Sequence, residues 1–331
     1  MVPSNQDCDE VFSEEETRLE KLVAPQAEPR EYKVVYRNII VFIYYHIAGI
    51  YGLYLGLTAA KWATVISALI TYCVGAIGVT AGSHRLWSHK SYKATKPLQL
   101  FLMLCQSVSN QNSVAHWARD HRLHHKYSDT DADPHNATRG FFYSHVGWLM
   151  VRKHPEVVKR GKLLDLSDIY GNPYLKFQDT HSYWFIPVMS FLLPTIIPIY
   201  FWGETFSVAW NVNMCRYVMN LNAAFLVNSV AHMWGYKPYD KNIAPSQSRT
   251  LSVLTLGEGF HNYHHVFPWD YRSDELSSLR VNPTSMFIEL CAKLGLAYDL
   301  KTASDELIEG RAKRTGDGSY LIQKEQISKR F

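Results

Sequence analysis

Long apolar stretches alternate with long charged stretches along this chain. Four of the apolar stretches reach the roughly 20 residues that a helix needs to cross a hydrocarbon core of about 30 Å. They cover residues 39–57, 62–83, 182–203 and 205–231, and the first three contain no formal charge. The pattern therefore predicts an all-α integral membrane protein with four transmembrane helices.

Very short connections pair these stretches into two hairpins, since only TAAK separates the first two. The polar segments 84–181 and 232–300 would then form a helical cap on one side of the membrane. Lys and Arg are abundant in the cap and beside the spans, and the positive-inside rule places the cap and both termini in the cytosol. Within the cap, residues 96–117 are apolar but short, which favours an interfacial helix over a fifth span.

The third and fourth stretches carry residues that are unusual in a membrane. Three prolines in the third stretch predict kinks, which spans tolerate when neighbouring groups satisfy the freed carbonyls. The fourth stretch contains Arg216, and an intramembrane charge usually faces the interior of a bundle. It also contains Asn211, Asn213, Asn220, Asn222 and Asn228. We therefore expect the fourth helix to line an internal site.

The two ends of the chain are charged and polar. Residues 1–30 lack the apolar core of a signal peptide, and they are predicted to form a flexible cytosolic arm before a membrane domain at 31–300. Residues 301–331 are predicted to form a loosely held charged tail. The net charge of +4 is dispersed, so nucleic-acid binding has little support. The five cysteines show no CxxC spacing, which argues against a disulfide framework or a thiolate metal site.

Histidines are concentrated in three short motifs, HRLWSH, HRLHH and HNYHH. Positions i, i+3 and i+4 of a helix share one face, so each HxxHH group can direct its rings to one place. The HRLWSH pair, at i and i+5, would need irregular backbone to converge. The clusters lie beyond the ends of predicted spans, which predicts a metal centre above the bundle. The nine candidate ligands are His84, His89, His121, His124, His125, His232, His261, His264 and His265.

The number of candidate ligands is more informative than their type. Imidazole suits zinc, copper, iron and nickel alike, but structural zinc needs only four ligands. Nine candidates therefore favour two metals with open coordination positions. Asn228, one helical turn before His232, could hold a metal-bound water or make a polar helix contact. Nearby carboxylates could orient the rings, although part of the set could equally form a solvated acidic loop. They are Asp120, Asp129, Asp131, Asp133 and Glu258.

Four longer motifs closely resemble the membrane acyl-CoA desaturases, the stearoyl-CoA-type enzymes of animals. They are TAGSHRLWSHKSYKA, WARDHRLHHKYSDTDADPHNATRGFFYSHVGWLMVRKHP, VNSVAHMWGYKPYDKNI and GEGFHNYHHVFPWDY. The likeness extends from about Glu31 to KRTGDG near the C-terminus. It implies four transmembrane helices under a cytosolic cap that holds a di-iron site. It also implies a reaction in which dioxygen and two electrons remove two hydrogens from a fatty acyl-CoA.

The resemblance also implies roles for individual residues. One iron would be bound by His84, His89, His125 and His265, with a water held by Asn228, and the other by His121, His124, His232, His261 and His264. The coenzyme A headgroup would contact Asn38, Asn112, Arg119, Asp120, Arg152 and Lys153. Cations suit its phosphates, although Arg152 and Lys153 could instead snorkel to the membrane interface. The acyl tunnel would pass Gln111, Trp117 and Trp148 and close near Tyr72 and Ala76.

The implied partners are a fatty acyl-CoA, the lipid bilayer of the endoplasmic reticulum, and cytochrome b5 with its NADH-dependent reductase, since no haem-binding HPGG motif is present. Ala224 and Phe225 stand where vertebrate delta-9 enzymes carry Thr-Trp. Together with the signature Ala244 to Gln247, this resembles the delta-11 branch of moth pheromone-gland desaturases. We therefore expect cis delta-11 desaturation of a saturated sixteen-carbon acyl-CoA, in unsaturated fatty acid or sex-pheromone biosynthesis. The alternatives are a delta-9 acyl-CoA desaturase and a bifunctional desaturase that also acts as a conjugase.

A histidine-rich membrane metal transporter is the competing class of function. It would need polar ligands along a path within the bilayer, whereas the clusters here lie outside the predicted spans. Membrane fatty-acid hydroxylases and alkane oxygenases share histidine clusters but resemble these motifs less well.

Overall fold

The structure is a computed structural model that describes residues 31–274 and 282–328. The predicted N-terminal arm, residues 1–30, lies outside the described residues. The α-helices are α1 Tyr36–Thr58, α2 Trp62–Ile77, α3 Lys96–Ser109, α4 Val114–Lys126, α5 Phe141–His145, α6 Pro155–Gly161, α7 Ser167–Tyr170, α8 Pro173–Thr180, α9 Ser182–Pro187, α10 Leu193–Trp202, α11 Phe206–Met233, α12 Arg249–Leu254, α13 His261–Val266, α14 Pro283–Lys293, α15 Asp305–Thr315 and α16 Ser319–Ser328. Two π-helices cover Gly78–Ser88 and Val188–Leu192, and two 3-10 helices cover Ala137–Arg139 and Gly147–Leu149. Strands β1 Lys93–Ala94 and β2 Ala297–Tyr298 pair antiparallel.

Three helices are long and apolar enough to cross a membrane, and they coincide with the first three predicted spans. They are Tyr36–Thr58, Trp62–Ser88 and Ser182–Trp202. The second consists of α2 and the π-helix that continues it, and the third of α9, the other π-helix and α10. Apolar side chains project outward from α1, where Ile40 is 68% and Ile50 is 71% exposed. A large exposed apolar surface of this kind is typical of contact with lipid.

Helix α11 packs closely along α1 because α1 presents glycines at the contact. A Cβ atom at Gly52 would lie 1.8 Å from the carbonyl oxygen of Asn211, so no larger residue fits. Small residues allow helix backbones to approach each other closely in a membrane. At 28 residues, α11 is about 42 Å long. It therefore connects the far end of the bundle with the histidine clusters of the cap.

Arg216, the charge in the fourth predicted span, is buried against main-chain carbonyls. In a regular α-helix the carbonyl of Ser190 would accept from the N–H of residue 194, but Pro194 has no N–H. The Arg216 guanidinium donates to this carbonyl at 2.6 Å, and Asn213 donates to it at 3.1 Å. Arg216 also donates to the carbonyl of Val108 at 2.9 Å. The prediction that neighbouring groups satisfy the carbonyls freed by proline is confirmed here.

The predicted interfacial helix at 96–117 is two helices rather than one. α3 ends at Ser109 and α4 begins at Val114, with a sharp turn between them. Asn110 and Asn112 in this turn have φ values of 48° and 62°. Asparagine tolerates this left-handed conformation better than most residues, which explains the break. The turn redirects the chain into α4, which carries the HRLHH motif.

The described part of the C-terminal segment, which was predicted to be a charged tail, contains two helices with buried side chains. α15 and α16 form after residue 301, and their buried side chains Ile308, Ala312 and Tyr320 join a core with Tyr239 and Tyr263. The exposed face of the segment accounts for its charged sequence. Because Tyr263 belongs to α13, this packing supports the helix that carries the third histidine motif.

Candidate metal centre

Four elements bring the histidines together. The π-helix Gly78–Ser88 carries His84 and ends beside His89. α4 carries the HRLHH motif, α11 carries His232 in its last turn, and α13 begins at His261. The three motifs and the end of the longest helix therefore meet at one place in the cap.

The spacing of the HRLWSH motif is explained by its π-helix. Backbone hydrogen bonds of a π-helix join residues five apart, and such segments are frequent at functional sites. The N–H of His89 donates to the carbonyl of His84 at 3.1 Å, and the two ring centroids lie 5.0 Å apart. The irregular backbone that the i, i+5 spacing requires is therefore this π-helix.

All nine predicted histidines fall into two groups. The first contains His84, His89, His121, His125 and His264, and the second contains His124, His232, His261 and His265. In each group, the ring nitrogens that could bind a metal lie within 4.8 Å of one another. Side chains from segments far apart in sequence thus form two adjacent sets of nitrogen donors.

The division into groups differs from the one that the resemblance implied. His121 and His264 lie in the first group instead of the second, and His265 lies in the second instead of the first. The reason is helix geometry, since residues four apart share a face and successive residues do not. The ring of His121 lies 4.6 Å from that of His125, and the ring of His265 lies 4.4 Å from that of His261.

Asn228 lies one turn before His232 on α11 and lines the cavity described below. Its role in holding a water stays a prediction.

The donor set fits metal ions. Nε2 of His84 lies 2.9 Å from Nε2 of His264, and Nε2 of His232 lies 3.0 Å from Nε2 of His261. Two imidazoles at right angles on a metal, with bonds of about 2.1 Å, place their nitrogens roughly 3 Å apart. Within the described residues, Nδ1 of His264 is buried and has no hydrogen-bond partner. These features match neutral imidazole ligands that converge on one point within each group.

Three carboxylates orient histidines of the two groups. Asp129 contacts Nδ1 of His232 at 3.0 Å, Asp133 contacts Nδ1 of His124 at 2.8 Å, and Glu258 contacts Nδ1 of His84 at 2.8 Å. Each contact leaves Nε2 directed into its group, as is usual for histidine ligands of metals. The predicted orienting role is confirmed for these three residues.

Asp120 and Asp131, which were predicted with the other carboxylates, contact cationic side chains. Asp131 binds Arg139 at 3.3 Å. Asp120 binds Arg119 at 2.9 Å and makes a second contact with Lys153. Burial opposes ionisation of Asp120, but its hydrogen bond with His116 and the two cations outweigh burial and hold its pKa well below the usual range.

Burial and mutual repulsion keep most of these rings neutral. The pKa of His89, His121 and His125 lies well below 6.5, because burial disfavours the charged form and neighbouring cationic rings would repel it. The same holds for His261, His264 and His265. For His124, burial is outweighed by Asp133, and the pKa is raised. Neutral imidazole is the form that binds metals.

A cavity of about 350 Å³ adjoins both groups. Its wall includes His84 and His121 from the first group and His124 and His261 from the second. Apolar side chains such as Phe225 cover much of the remainder, and this size is typical of a small-molecule site. The arrangement can present an apolar chain to two metals at once.

Comparison with known proteins identifies the family. The family model of the fatty acid desaturases matches residues 60–282, which is more than half of the chain. The chain belongs to the fatty acid desaturase family.

Three relatives of this desaturase match nearly its full length. An acyl-CoA Delta(11) desaturase of Choristoneura rosaceana is 60% identical over 96% of this chain and 95% of its own. An acyl-CoA Delta(11) desaturase of Spodoptera littoralis is 59% identical, with 96% and 94% covered. A (11Z)-hexadec-11-enoyl-CoA conjugase of Bombyx mori is 58% identical, with 91% of each chain covered.

Most of the predicted substrate residues of this desaturase lie in the cavity wall. They are Asn38, Tyr72, Ala76, Gln111, Asn112, Trp117, Asp120 and Trp148. Among the described residues that line the cavity, Arg119, Arg152 and Lys153 are absent. Arg119 and Lys153 flank Asp120, whereas the backbone N–H of Arg152 donates to the carbonyl of Lys33. The contacts of all these residues with a substrate stay predictions.

Two residues of the site were missed by the sequence reasoning. His135 lies in the cavity wall, with its ring 4.4 Å from that of His124. Its place in the HRLHHKYSDTDADPHN stretch was the available signal. Arg85 is 1% exposed and donates to Glu258 at 2.9 Å. No sequence pattern distinguished this arginine from an ordinary charge at the end of a span.

Proposed function

We propose that this chain is a di-iron acyl-CoA desaturase that uses dioxygen to introduce a cis double bond at the delta-11 position of a saturated sixteen-carbon acyl-CoA. The observation that carries the proposal is the contact of both histidine groups with one largely apolar cavity. The names of the relatives support both the acyl-CoA substrate and the delta-11 position. We assign this reaction to unsaturated fatty acid or sex-pheromone biosynthesis.

The protein's contribution is to place the substrate. Polar residues of the cavity wall and cationic residues outside that wall would bind the coenzyme A headgroup, and the apolar part of the wall would hold the acyl chain. The proposed headgroup ligands are Asn38, Asn112, Arg119, Asp120, Arg152 and Lys153. Two bound irons would supply the oxidising power for removing hydrogens from an unactivated carbon pair. With the headgroup fixed, the path of the cavity decides which carbons lie beside His84, His121, His124 and His261.

The bend of the cavity is the proposed determinant of regiochemistry. Phe225 lies in the wall beside Phe42, with ring centroids 6.3 Å apart, and Ala224 lies next to it. These two residues occupy the positions at which the chain departs from vertebrate delta-9 enzymes. A conjugase activity on the monounsaturated product is a second candidate, which the silkworm relative favours.

The membrane arrangement completes the proposal. α11 would be a fourth span, in which the Arg216 guanidinium is buried and donates hydrogen bonds to main-chain carbonyls rather than facing lipid. His84 near the end of the second span and His232 near the end of α11 would place the centre on one face of the membrane. We assign that face and both termini to the cytosolic side of the endoplasmic reticulum. Electrons would arrive there from cytochrome b5 and its NADH-dependent reductase.

Expression in a desaturase-deficient yeast tests the proposal. Mass spectrometry of the cellular fatty acids should find a new delta-11 double bond in sixteen-carbon chains. His121→Ala should abolish the product, whereas His181→Ala, a histidine outside both groups, should retain it. A delta-9 product would replace the regiochemical assignment. Metal uptake without any unsaturated product would indicate a transporter and contradict the proposal.

A further inference from the structure

We propose that Asn220 sets the position of the double bond by tying the metal centre to the far wall of the cavity. This inference rests on the proposed function and deepens it by naming a specificity-determining residue. Asn220 was predicted to be one of several polar residues on the fourth helix, without a role of its own. It is 3% exposed and lies in the cavity wall.

A ring stack followed by a series of hydrogen bonds connects the metal centre to Asn220. The Trp117 ring stacks on His121 with centroids 4.7 Å apart, and its Nε1–H donates to Oε1 of Gln111 at 3.3 Å. Nε2 of Gln111 donates to Oδ1 of Asn220 at 3.2 Å. Nδ2 of Asn220 donates to the carbonyl of Tyr72 on α2 at 3.3 Å. The contacts therefore connect a metal-site ring, the turn after α3, α11 and α2.

The ends of this series fix its direction. Indole N–H can only donate and a backbone carbonyl can only accept. Gln111 and Asn220 must therefore both point their oxygens toward Trp117 and their amide nitrogens toward Tyr72. The carboxamide of Asn220 both accepts from Gln111 and donates to Tyr72, which neither an apolar side chain nor a carboxylate can do.

The position of Asn220 on α11 relates this series of hydrogen bonds to the metal centre. Asn220, Ala224, Asn228 and His232 follow one another at intervals of four, so they form one stripe along the helix. The first three line the cavity, and the fourth belongs to the second histidine group. Asn220 thus fixes how far the α2 wall lies from the metals, about 18 Å of helix axis from His232.

Regiochemistry depends on this separation. An acyl chain whose headgroup is fixed can shift only by passing farther or less far along the cavity. Losing the Asn220 bridge frees the wall at Tyr72 and allows neighbouring carbon pairs to reach the metals. Enzymes typically discriminate about tenfold or more between substrates that differ by one methylene in an apolar pocket. Freeing the wall should therefore lower the preference for the main double-bond position by a factor of that size.

The test compares Asn220→Leu with Asn211→Leu in desaturase-deficient yeast. The control makes the same change on the same helix, at a side chain that donates only to the carbonyl of Ser207 within α11. We expect the ratio of the main double-bond position to its neighbours to fall about tenfold in Asn220→Leu and to stay at the wild-type value in Asn211→Leu. A wild-type ratio in Asn220→Leu overturns the inference.

Two further outcomes are decisive. If Asn220→Leu yields no product, Gln111→Met breaks the same contact from the other side and should redistribute the double bond. An unchanged ratio in Gln111→Met, or loss of all product in both variants, overturns the inference, because a specificity role requires turnover at other carbons. Absence of unsaturated product from the wild-type chain would instead refute the proposed function, so the two failures are distinguishable.

Discussion

The carboxylate of Asp133 lies 2.8 Å from Nδ1 of His124, and both side chains are buried. The same carboxylate accepts from the backbone N–H of Asp129 at 2.8 Å and of His135 at 3.1 Å. The loop after α4 is therefore built around Asp133, and His124 is held with Nε2 free to bind a metal. This contact makes the acidic run of the sequence part of the metal centre rather than a solvated loop.

Replacing Asp133 should weaken metal binding. Asp133→Asn removes the charge that orients His124, and loss of such a contact typically lowers metal affinity or activity 10- to 100-fold. Mass spectrometry of the purified protein measures its metal content, and the unsaturated fatty acids formed in yeast measure its activity. Asp131→Asn in the same loop is the control, since the Asp131 carboxylate pairs with Arg139. Equal losses in the two variants would contradict the orienting role.

Acid should destabilise the fold at a pH where most proteins are unaffected. The pKa of His89, His121 and His125 is lowered in the folded chain, so the unfolded chain binds more protons below about pH 6.5. The stability that these groups contribute is present above that pH and is lost as pH falls. Each group contributes a slope of at most ~1.4 kcal/mol per pH unit.

Thermal unfolding of the detergent-purified protein between pH 7.5 and 5.5 measures this effect. The melting temperature should decrease with pH, and His125→Gln should decrease less steeply because one titrating ring is removed. The carboxyl pKa of Glu258 is lowered to about 2, because His84 and Arg85 outweigh its burial. Glu258 therefore stays ionised over this range and does not contribute to the slope. A melting temperature independent of pH would contradict the assignment of neutral buried rings.

Arg216 should stabilise the bundle through Pro194. Arg216→Leu leaves the carbonyl of Val108 unsatisfied and weakens the contacts of the Ser190 carbonyl. A buried polar group without a partner costs about 1–3 kcal/mol, so the melting temperature should fall by several degrees. Pro194→Ala restores an N–H for Ser190, and the double variant should recover part of the loss. No recovery in the double variant would show that Arg216 does not compensate for the N–H that Pro194 lacks.

Phe225 should control the shape of the cavity. It packs against His145, with centroids 5.5 Å apart, and His145 is fixed by Asn222 at 3.1 Å and Ser229 at 3.0 Å. Phe225→Ala should cost roughly 3–5 kcal/mol of stability and broaden the distribution of products. Phe201→Ala, at a phenylalanine that is 70% exposed, is the control for stability. Products unchanged in Phe225→Ala would exclude this residue from specificity.

Much of the architecture could be predicted from local pattern. Uninterrupted apolar length located three spans, because the membrane imposes a minimum length on each helix. The HxxHH spacing predicted convergent rings, because i, i+3 and i+4 share a helix face. These features depend on neighbours within one element, which the sequence displays directly.

Other features depend on contacts between distant segments. The assignment of His264 and His265 to different groups follows from the rotation of α13, which is set by the packing of Tyr263 against the C-terminal helices. The i, i+5 spacing of His84 and His89 indicated irregular backbone, but it did not identify that backbone as a π-helix. The docking of Ile308 and Tyr320 was hidden by the charged residues around them.

The number of metal ions per chain tests the central claim most directly. The protein should be expressed with supplemental iron, purified in detergent, and analysed for metal and protein by mass spectrometry and amino-acid analysis. Two separate groups of histidines predict two ions per chain, falling to one in His261→Ala, which removes a donor from the second group alone. A fully loaded wild-type protein that holds a single ion, or none, would contradict the account.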